Sequence, residues 1–203
     1  MLAFAKLPLL AASTLTLVAL PTAGQNNWTV DNNHSRVGFS VRHFFTPVKG
    51  EFSDYTVNLT WDRANPAGTK ISTVIQVPSV STGNEKRDGH IRTPDFFDAA
   101  AHPTISFTST SVRQISPERF VATGNLTIKG ITKQVEMPVR LLGIQDIPEG
   151  MQAMLGGAKQ VASFEAELTI DRREFQVGTG SWGETAVVGA DVNITIQVEA
   201  STK

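Results

Sequence analysis

The sequence predicts an all-β domain of eight antiparallel strands with one short helical connection. Three observations carry this reading. Apolar and polar residues alternate with period two along eight separate stretches, helical periodicity is almost absent, and Gly or Pro stands at joints between the stretches.

Read from the start, the first 24 residues stand apart. Lys6 is their one charged side chain, residues 7–20 (LPLLAASTLTLVAL) are apolar, and Pro21-Thr22-Ala23-Gly24 ends the run with small residues. This is the pattern of a cleaved secretory signal, with the cut expected before Gln25. The apolar run is shorter than the roughly 18 to 20 residues that span a bilayer, and no cysteine follows it to carry a lipid anchor. Residues 1–24 are therefore read as signal and 25–203 as one domain.

The strands then follow in order. Val37, Phe39 and Val41 alternate with Gly38, Ser40 and Arg42, and Tyr55, Val57, Leu59 and Trp61 alternate with Thr56, Asn58 and Thr60. The pattern recurs at Ile71/Thr73/Ile75/Val77, Ile105/Phe107, Phe120/Ala122/Leu126/Ile128, Val135/Met137/Val139/Leu141, Phe164/Ala166/Leu168/Ile170 and Val192/Ile194/Ile196/Val198. Phe52 falls on the opposite parity from Tyr55 to Trp61 unless a bulge intervenes. Turn residues lie at Asn65-Pro66-Ala67-Gly68, Ser116-Pro117-Glu118, Lys129-Gly130 and Pro148-Glu149-Gly150. Residues 81–103 are too long for a hairpin, and Asn84 there is placed to cap a helix of one or two turns before Gly89 weakens it.

Strands with one apolar face and no amphipathic helix to cover them bury those faces by closing into a barrel or stacking as a sandwich. An eight-stranded barrel has an interior about 25 Å tall, wide enough to be filled by side chains or to hold one small ligand. An outer-membrane barrel would turn its apolar face to lipid and gather Tyr and Trp in two girdles. This chain has eleven Phe, one Tyr and three Trp, with Phe at mid-strand, and opposed charges (Glu165 and Glu167 against Arg140 and Arg172) on its polar faces. Those features favour a water-facing exterior.

Composition narrows the function classes. The 203 residues carry 18 basic and 19 acidic side chains, a balance without the basic stripe that nucleic acid requires. The absence of cysteine excludes disulfides, thiolate metal sites and a cysteine nucleophile. His34, His43, His90 and His102 lack short ligand spacing, which argues against a metal centre. Asp31-Asn-Asn-His34-Ser35 reads as a turn-stabilising group at a strand entrance. Gly178-Thr-Gly-Ser-Trp-Gly183 matches a dinucleotide-binding pattern but lacks the strand before and helix after, so it reads as a flexible loop. Asn-x-Ser/Thr triplets at Asn27, Asn33, Asn58, Asn125 and Asn193 reflect exposed sheet faces. The densest polar and aromatic cluster, Arg87-Asp88-Gly89-His90 with Asp95-Phe96-Phe97-Asp98, lies in the long connection. There Arg87 and Asp88 are expected to pin the loop by ion pairs while Phe96 and Phe97 plug one end of the barrel and touch a chain inside.

Together, Asp31-x-x-His34-Ser35-x-Val37-x-Phe39-x-Val41-x-His43, Lys49-Gly50-x-Phe52, Arg87-Asp88-x-His90, Asp95-Phe96-Phe97-Asp98, Pro103-x-Ile105-x-Phe107-x-Ser109 and Gly124-Asn-Leu126-Thr127-Ile128-Lys129-Gly130-x-Thr132-Lys133 resemble the YceI-like family of periplasmic lipid-binding proteins. The resemblance runs from Trp28 to about Glu199. It implies an extended, lipocalin-like eight-stranded barrel with a long apolar cavity for polyisoprenoids, isoprenoid quinones or fatty amphiphiles, with no catalysis, cofactor or metal. One departure is Arg173-Glu174-Phe175-Gln176, where the family has Asp-Phe-Gly.

The reading that results is a periplasmic carrier of an amphiphilic lipid, transported in the barrel without stable membrane insertion. Its expected lining is Phe39, Val41, Phe52, Val57, Ile75, Phe96, Phe97, Phe107, Phe120, Leu126, Val139, Phe164 and Ile194, with His34, Arg36 and His90 at the headgroup. A lipid-modifying enzyme using the same cavity would need an inward Asp, Glu or Lys, and the alternation places none there. A solid-packed interaction barrel is the third reading, and the assembly is open between monomer and homodimer.

Overall fold

A computed structural model describes residues 27–184 and 186–203. The signal expected at 1–24 lies outside the described residues. Ten strand segments run as β1 (Asn27–His43), β2 (Thr46–Phe52), β3 (Tyr55–Thr60), β4 (Lys70–Gln76), β5 (Val80–Ser81), β6 (Thr104–Ser116), β7 (Arg119–Ile128), β8 (Ile131–Asp146), β9 (Gln160–Asp171) and β10 (Val188–Thr202), with helices α1 (Glu85–Ile91) and α2 (Glu149–Gln152).

The segments form one antiparallel sheet that closes where β10 pairs with β1, so the architecture is a barrel rather than a sandwich. Ten segments make eight barrel strands because two strands are broken. β2 and β3 run in the same direction against β1, Phe52 opposite Val37 and Leu59 opposite Trp28, with the break at residues 53–54. β4 and β5 are divided by a 3₁₀ turn at Val77–Ser79, whose Pro78 has no N–H to continue a ladder. The first break explains the parity of Phe52. Phe52 and Tyr55 are three residues apart yet both are buried, because the interruption resets which side faces inward.

Registers place the chain ends of the strands at two poles. The Trp28 pole gathers the 61–69, 116–118 and 147–159 connections. The opposite pole gathers the 43–46 hairpin tip, the long 82–103 connection, the Lys129–Gly130 turn and residues 172–184 and 186–187. Lys129 and Gly130 both have positive φ (49° and 74°), the conformation of a two-residue hairpin that matches strand twist.

The long connection forms α1 as expected, with the Asn84 side chain accepting from the Arg87 backbone N–H at 3.0 Å. Its anchorage differs from the expected ion pairs. Asp88, buried, accepts from the Thr82 backbone N–H at 2.9 Å and from the Thr82 hydroxyl, while Arg87 donates through Nε to that hydroxyl at 2.7 Å and through Nη2 to the Thr82 carbonyl at 2.9 Å. One threonine, hydrogen-bonded by both, does the work assigned to charge pairing.

Three further expectations are corrected. The Asp31 to Ser35 group is a bulge inside β1, with register slipping between Asp31 and Arg36, because β1 begins at Asn27. The Pro148 joint forms the second short helix, α2. The segment at 178–183 includes a 3₁₀ turn at Gly180–Trp182 and is tied down through the Trp182 carbonyl by Arg172, which is itself buried and not on the outer face. Outside the barrel, Arg140 pairs with Glu165 at 2.7 Å and Arg36 with Glu51 at 2.8 Å, as a water-facing surface permits.

Candidate functional site

Alternation along the strands sends Phe, Val, Ile and Leu inward, and they do not fill the space they enclose. Two cavities remain along the barrel axis. The larger, about 170 Å³, occupies the half toward the long connection. The smaller, about 80 Å³, occupies the half toward Trp28. They abut at Thr73, Met137 and Ile196, which line both.

Nine of the thirteen residues expected to line a cavity border the larger space: Phe39, Val41, Phe52, Ile75, Phe96, Phe97, Phe107, Leu126 and Ile194. The other four, Val57, Phe120, Val139 and Phe164, border the smaller. Glycines opposite the rings make room for them. A Cβ on Gly124 would stand 2.6 Å from the Phe107 ring and 2.5 Å from the Thr108 carbonyl oxygen, and one on Gly50 would collide with the Phe39 ring. Phe52 links Phe39 (ring centres 5.6 Å apart) to Phe97 (6.0 Å, edge-on), so the closing segment packs directly on the strand wall.

Ile91, Phe96, Phe97, Phe175 and Val177 close the end of the larger cavity. Arg172 holds this closure. Its Nε donates to the Gly189 carbonyl (2.9 Å), Nη1 to Val177 (2.9 Å) and Gly178, and Nη2 to Trp182 (2.7 Å) and Val188 (2.9 Å). Five N–H groups meet five backbone carbonyls, which is the full donor capacity of a guanidinium. Burial pushes its pKa down from the usual arginine range. Arg172 is the one ionisable side chain among the described residues lining either cavity, and its donors are all taken by the chain itself.

Gln176 stands where the resembled family has Gly, and it adopts the left-handed conformation (φ 53°) that glycine takes freely. Lys129 Nζ reinforces the turn by donating to the Gln176 carbonyl at 3.0 Å and to the Pro94 carbonyl at 2.8 Å.

The residues expected at a headgroup lie elsewhere than the cavity wall. His34 is exposed on the barrel exterior, its Nδ1 2.8 Å from Asp31 Oδ2 and 3.8 Å from Glu199 Oε1. The hydrogen bond raises the His34 pKa and holds the Asp31 carboxyl below its usual range. Asp31, His34 and Glu199 are also the grouping of potential metal ligands found among the described residues, with one ligand atom from each within 4.8 Å of the others. Arg36 is exposed and engaged by Glu51. His90 packs edge-on to Phe96 and Trp182, both at 5.1 Å, and its Nε2 meets Asp95 Oδ2 at 2.8 Å, so it stands behind Phe96 without lining the cavity. The His90 hydrogen bond keeps the Asp95 carboxyl below its usual range.

Sequence reasoning did not single out Trp61 and Thr69, both buried and both lining the smaller cavity. Trp28 Nε1 donates to the Trp61 carbonyl at 2.9 Å, and the Trp61 ring meets Trp28 at 5.4 Å and Phe164 at 5.1 Å. The Trp61 indole N–H and the Thr69 hydroxyl have no hydrogen-bond partner among the described residues. A buried polar group left in that state costs about 1–3 kcal/mol. The alternation pattern placed Trp61 inward, but nothing in it marked an unsatisfied N–H.

Comparison with known proteins agrees with this architecture. The YceI-like domain model matches residues 28–200. Protein YceI of Escherichia coli O157:H7 is 34% identical over 170 residues, covering 83% of this chain and 82% of that one. The crystal structure of Burkholderia cenocepacia BcnA superposes with a TM-score of 0.75 at 27% identity, covering 84% of this chain and 99% of the other. A polyisoprenoid binding domain from Saccharophagus degradans, implicated in plant cell wall breakdown, shares the fold at a TM-score of 0.64 and 13% identity, covering 89% of this chain and all of that one. With the family model spanning the barrel from Trp28 to Ala200, the chain belongs to the YceI-like domain family.

Proposed function

We propose that this protein is a non-enzymatic carrier of an amphiphilic lipid with a long apolar chain, a polyisoprenoid or isoprenoid quinone, which it holds inside the barrel in the periplasm. The observation that carries the reading is the pair of abutting apolar cavities on the barrel axis. Each CH₂ group transferred from water to such a wall contributes about 0.8 kcal/mol, so a chain of ten carbons gains roughly 8 kcal/mol before its lost freedom is counted. The polyisoprenoid-binding fold relative supports this ligand class by analogy. The signal-like residues 1–24 support export.

Absence of chemistry on the walls favours carriage over catalysis. Among the described residues, no pair of titratable side chains lines either cavity, and Arg172 has no free donor to offer a substrate. General acid–base catalysis requires a titratable group within hydrogen-bond reach of the reacting atom. Titration of solvent-delipidated protein with a fluorescent long-chain amphiphile tests the proposal. Saturable one-to-one binding, displaced by a ten-carbon-tailed quinone and weakened by Ile194→Arg, is expected. A barrel that stays folded and binds no long-chain probe would contradict it.

A further inference from the structure

We infer that the smaller cavity receives the polar head of the bound lipid, and that Trp61 and Thr69 select a neutral hydrogen-bond-accepting head such as a quinone carbonyl over a phosphate. This rests on the carrier reading and specifies which end of the ligand goes where.

Three observations converge. The two described side chains that carry buried, unpartnered polar atoms, Trp61 and Thr69, line the same compartment. Both are more than nine-tenths buried, at 3% and 7% exposure, so bulk water does not supply the missing bonds. An indole N–H only donates, whereas a hydroxyl both donates and accepts, so a head that offers acceptor oxygens, such as quinone carbonyls, can satisfy either group. The side chains around the pair are neutral. Val57, Val112, Phe120, Phe164 and Val198 share the wall, with no Lys, Arg or His. Asp62 and Arg63, next along the chain, line instead a polar recess with Trp28 and Asp146, on whose wall Trp61 also stands. A phosphate brought into the smaller cavity would lose its hydration without meeting a cation on that cavity's own wall, a large penalty for a charged group. A quinone carbonyl loses far less and can accept the hydrogen bonds that these groups lack. The larger cavity, with its dry wall, is left for the chain, and Thr73, Met137 and Ile196 mark where head and tail meet.

The test compares three probes with the same ten-carbon tail on delipidated protein: decylubiquinone, decylbenzene and decyl phosphate. Decylubiquinone is expected to bind several-fold tighter than decylbenzene, with decyl phosphate weakest. Thr69→Val, which keeps the shape of the wall, should weaken decylubiquinone by roughly fivefold and leave decylbenzene unchanged, and Trp61→Phe, which removes the N–H but also trims the ring packed on Trp28 and Phe164, should weaken decylubiquinone more than it changes decylbenzene. In the unmutated protein, the indole N–H resonance of Trp61 should move on adding decylubiquinone and stay in place with decylbenzene. Equal losses for both probes, or no loss and no resonance shift, would overturn the inference while leaving the carrier reading intact. If none of the three probes binds, the carrier reading falls first and takes the inference with it.

Discussion

If the barrel holds a lipid as proposed, removing it should destabilise the fold by an amount set by the space left behind. The larger cavity stays dry, because a water inside would find almost no polar partners: its one ionisable wall residue, Arg172, has every donor bonded to the chain. An empty apolar void costs about 24 cal/mol per Å³. On that scale this cavity, about 170 Å³, corresponds to about 4 kcal/mol. That is a large share of the whole stability of an ordinary domain, about 5–15 kcal/mol. For a domain of this length, 1 kcal/mol moves the midpoint by roughly 2–4 °C, so stripping the lipid should lower Tm by about 8–16 °C. Calorimetry on the protein as purified, after solvent delipidation and refolding, and after reloading with decylubiquinone gives the three midpoints required. The middle one should fall and the last recover. Identical midpoints within about 2 °C, with mass spectrometry confirming that lipid was lost, would refute the reasoning and indicate that the walls collapse to fill the space.

Three other outcomes follow from the same geometry. Gly124→Ala should destabilise by about 1–3 kcal/mol in chemical denaturation, because its Cβ would meet both the Phe107 ring and the Thr108 carbonyl; Gly38→Ala, whose nearest neighbours are 3.5 Å away or more, should be close to neutral. Arg172→Lys keeps the charge but donates at most three hydrogen bonds where five carbonyls now accept, so at least two are left unpaired and the loss should reach about 2 kcal/mol or more. Faster proteolysis of the 176–188 segment should accompany that loss. The His34–Asp31 pair should be pH-dependent: the His34 pKa is raised above 6.5, so its contribution is full below that value and lost as pH rises through the raised one, whereas the lowered Asp31 pKa makes its contribution present above 3.8 and lost as pH falls further. An NMR titration should therefore place the His34 midpoint above 6.5, and Asp31→Asn should lower it, with Glu199 still favouring the charged ring.

The sequence made the barrel legible because period-two alternation reports burial directly. The strand residues expected to line a cavity, from Phe39 to Ile194, each border one of the two, and Phe52, off the alternation, joins them because of the break at 53–54, whereas other inward positions such as Tyr55, Val77, Ala122, Val135 and Leu141 pack into the core without bordering either. The pattern is silent wherever burial is achieved by something other than a strand face. Arg172 reads as an exterior charge by residue type alone, although the inward parity of Phe164, Ala166, Leu168 and Ile170 runs on to it; the chain turns into a 3₁₀ segment at that residue and folds five carbonyls around it. His34 and Arg36 looked suited to a cavity mouth, but the bulge in β1 sends His34 outward to Asp31 and Arg36 pairs with Glu51. Trp61 and Thr69 were unreadable as a polar site, since their significance lies in the hydrogen bonds they lack and only a three-dimensional census reveals those.

The central claim is that the barrel carries a lipid. Native mass spectrometry of the 203-residue chain, expressed in bacteria and purified without detergent, tests this most directly. One apolar-chain lipid per barrel, chemically unmodified and with an isoprenoid quinone or polyisoprenoid mass, is the expected result. A protein that leaves the cell empty, and remains empty when offered quinone-loaded vesicles, would contradict it.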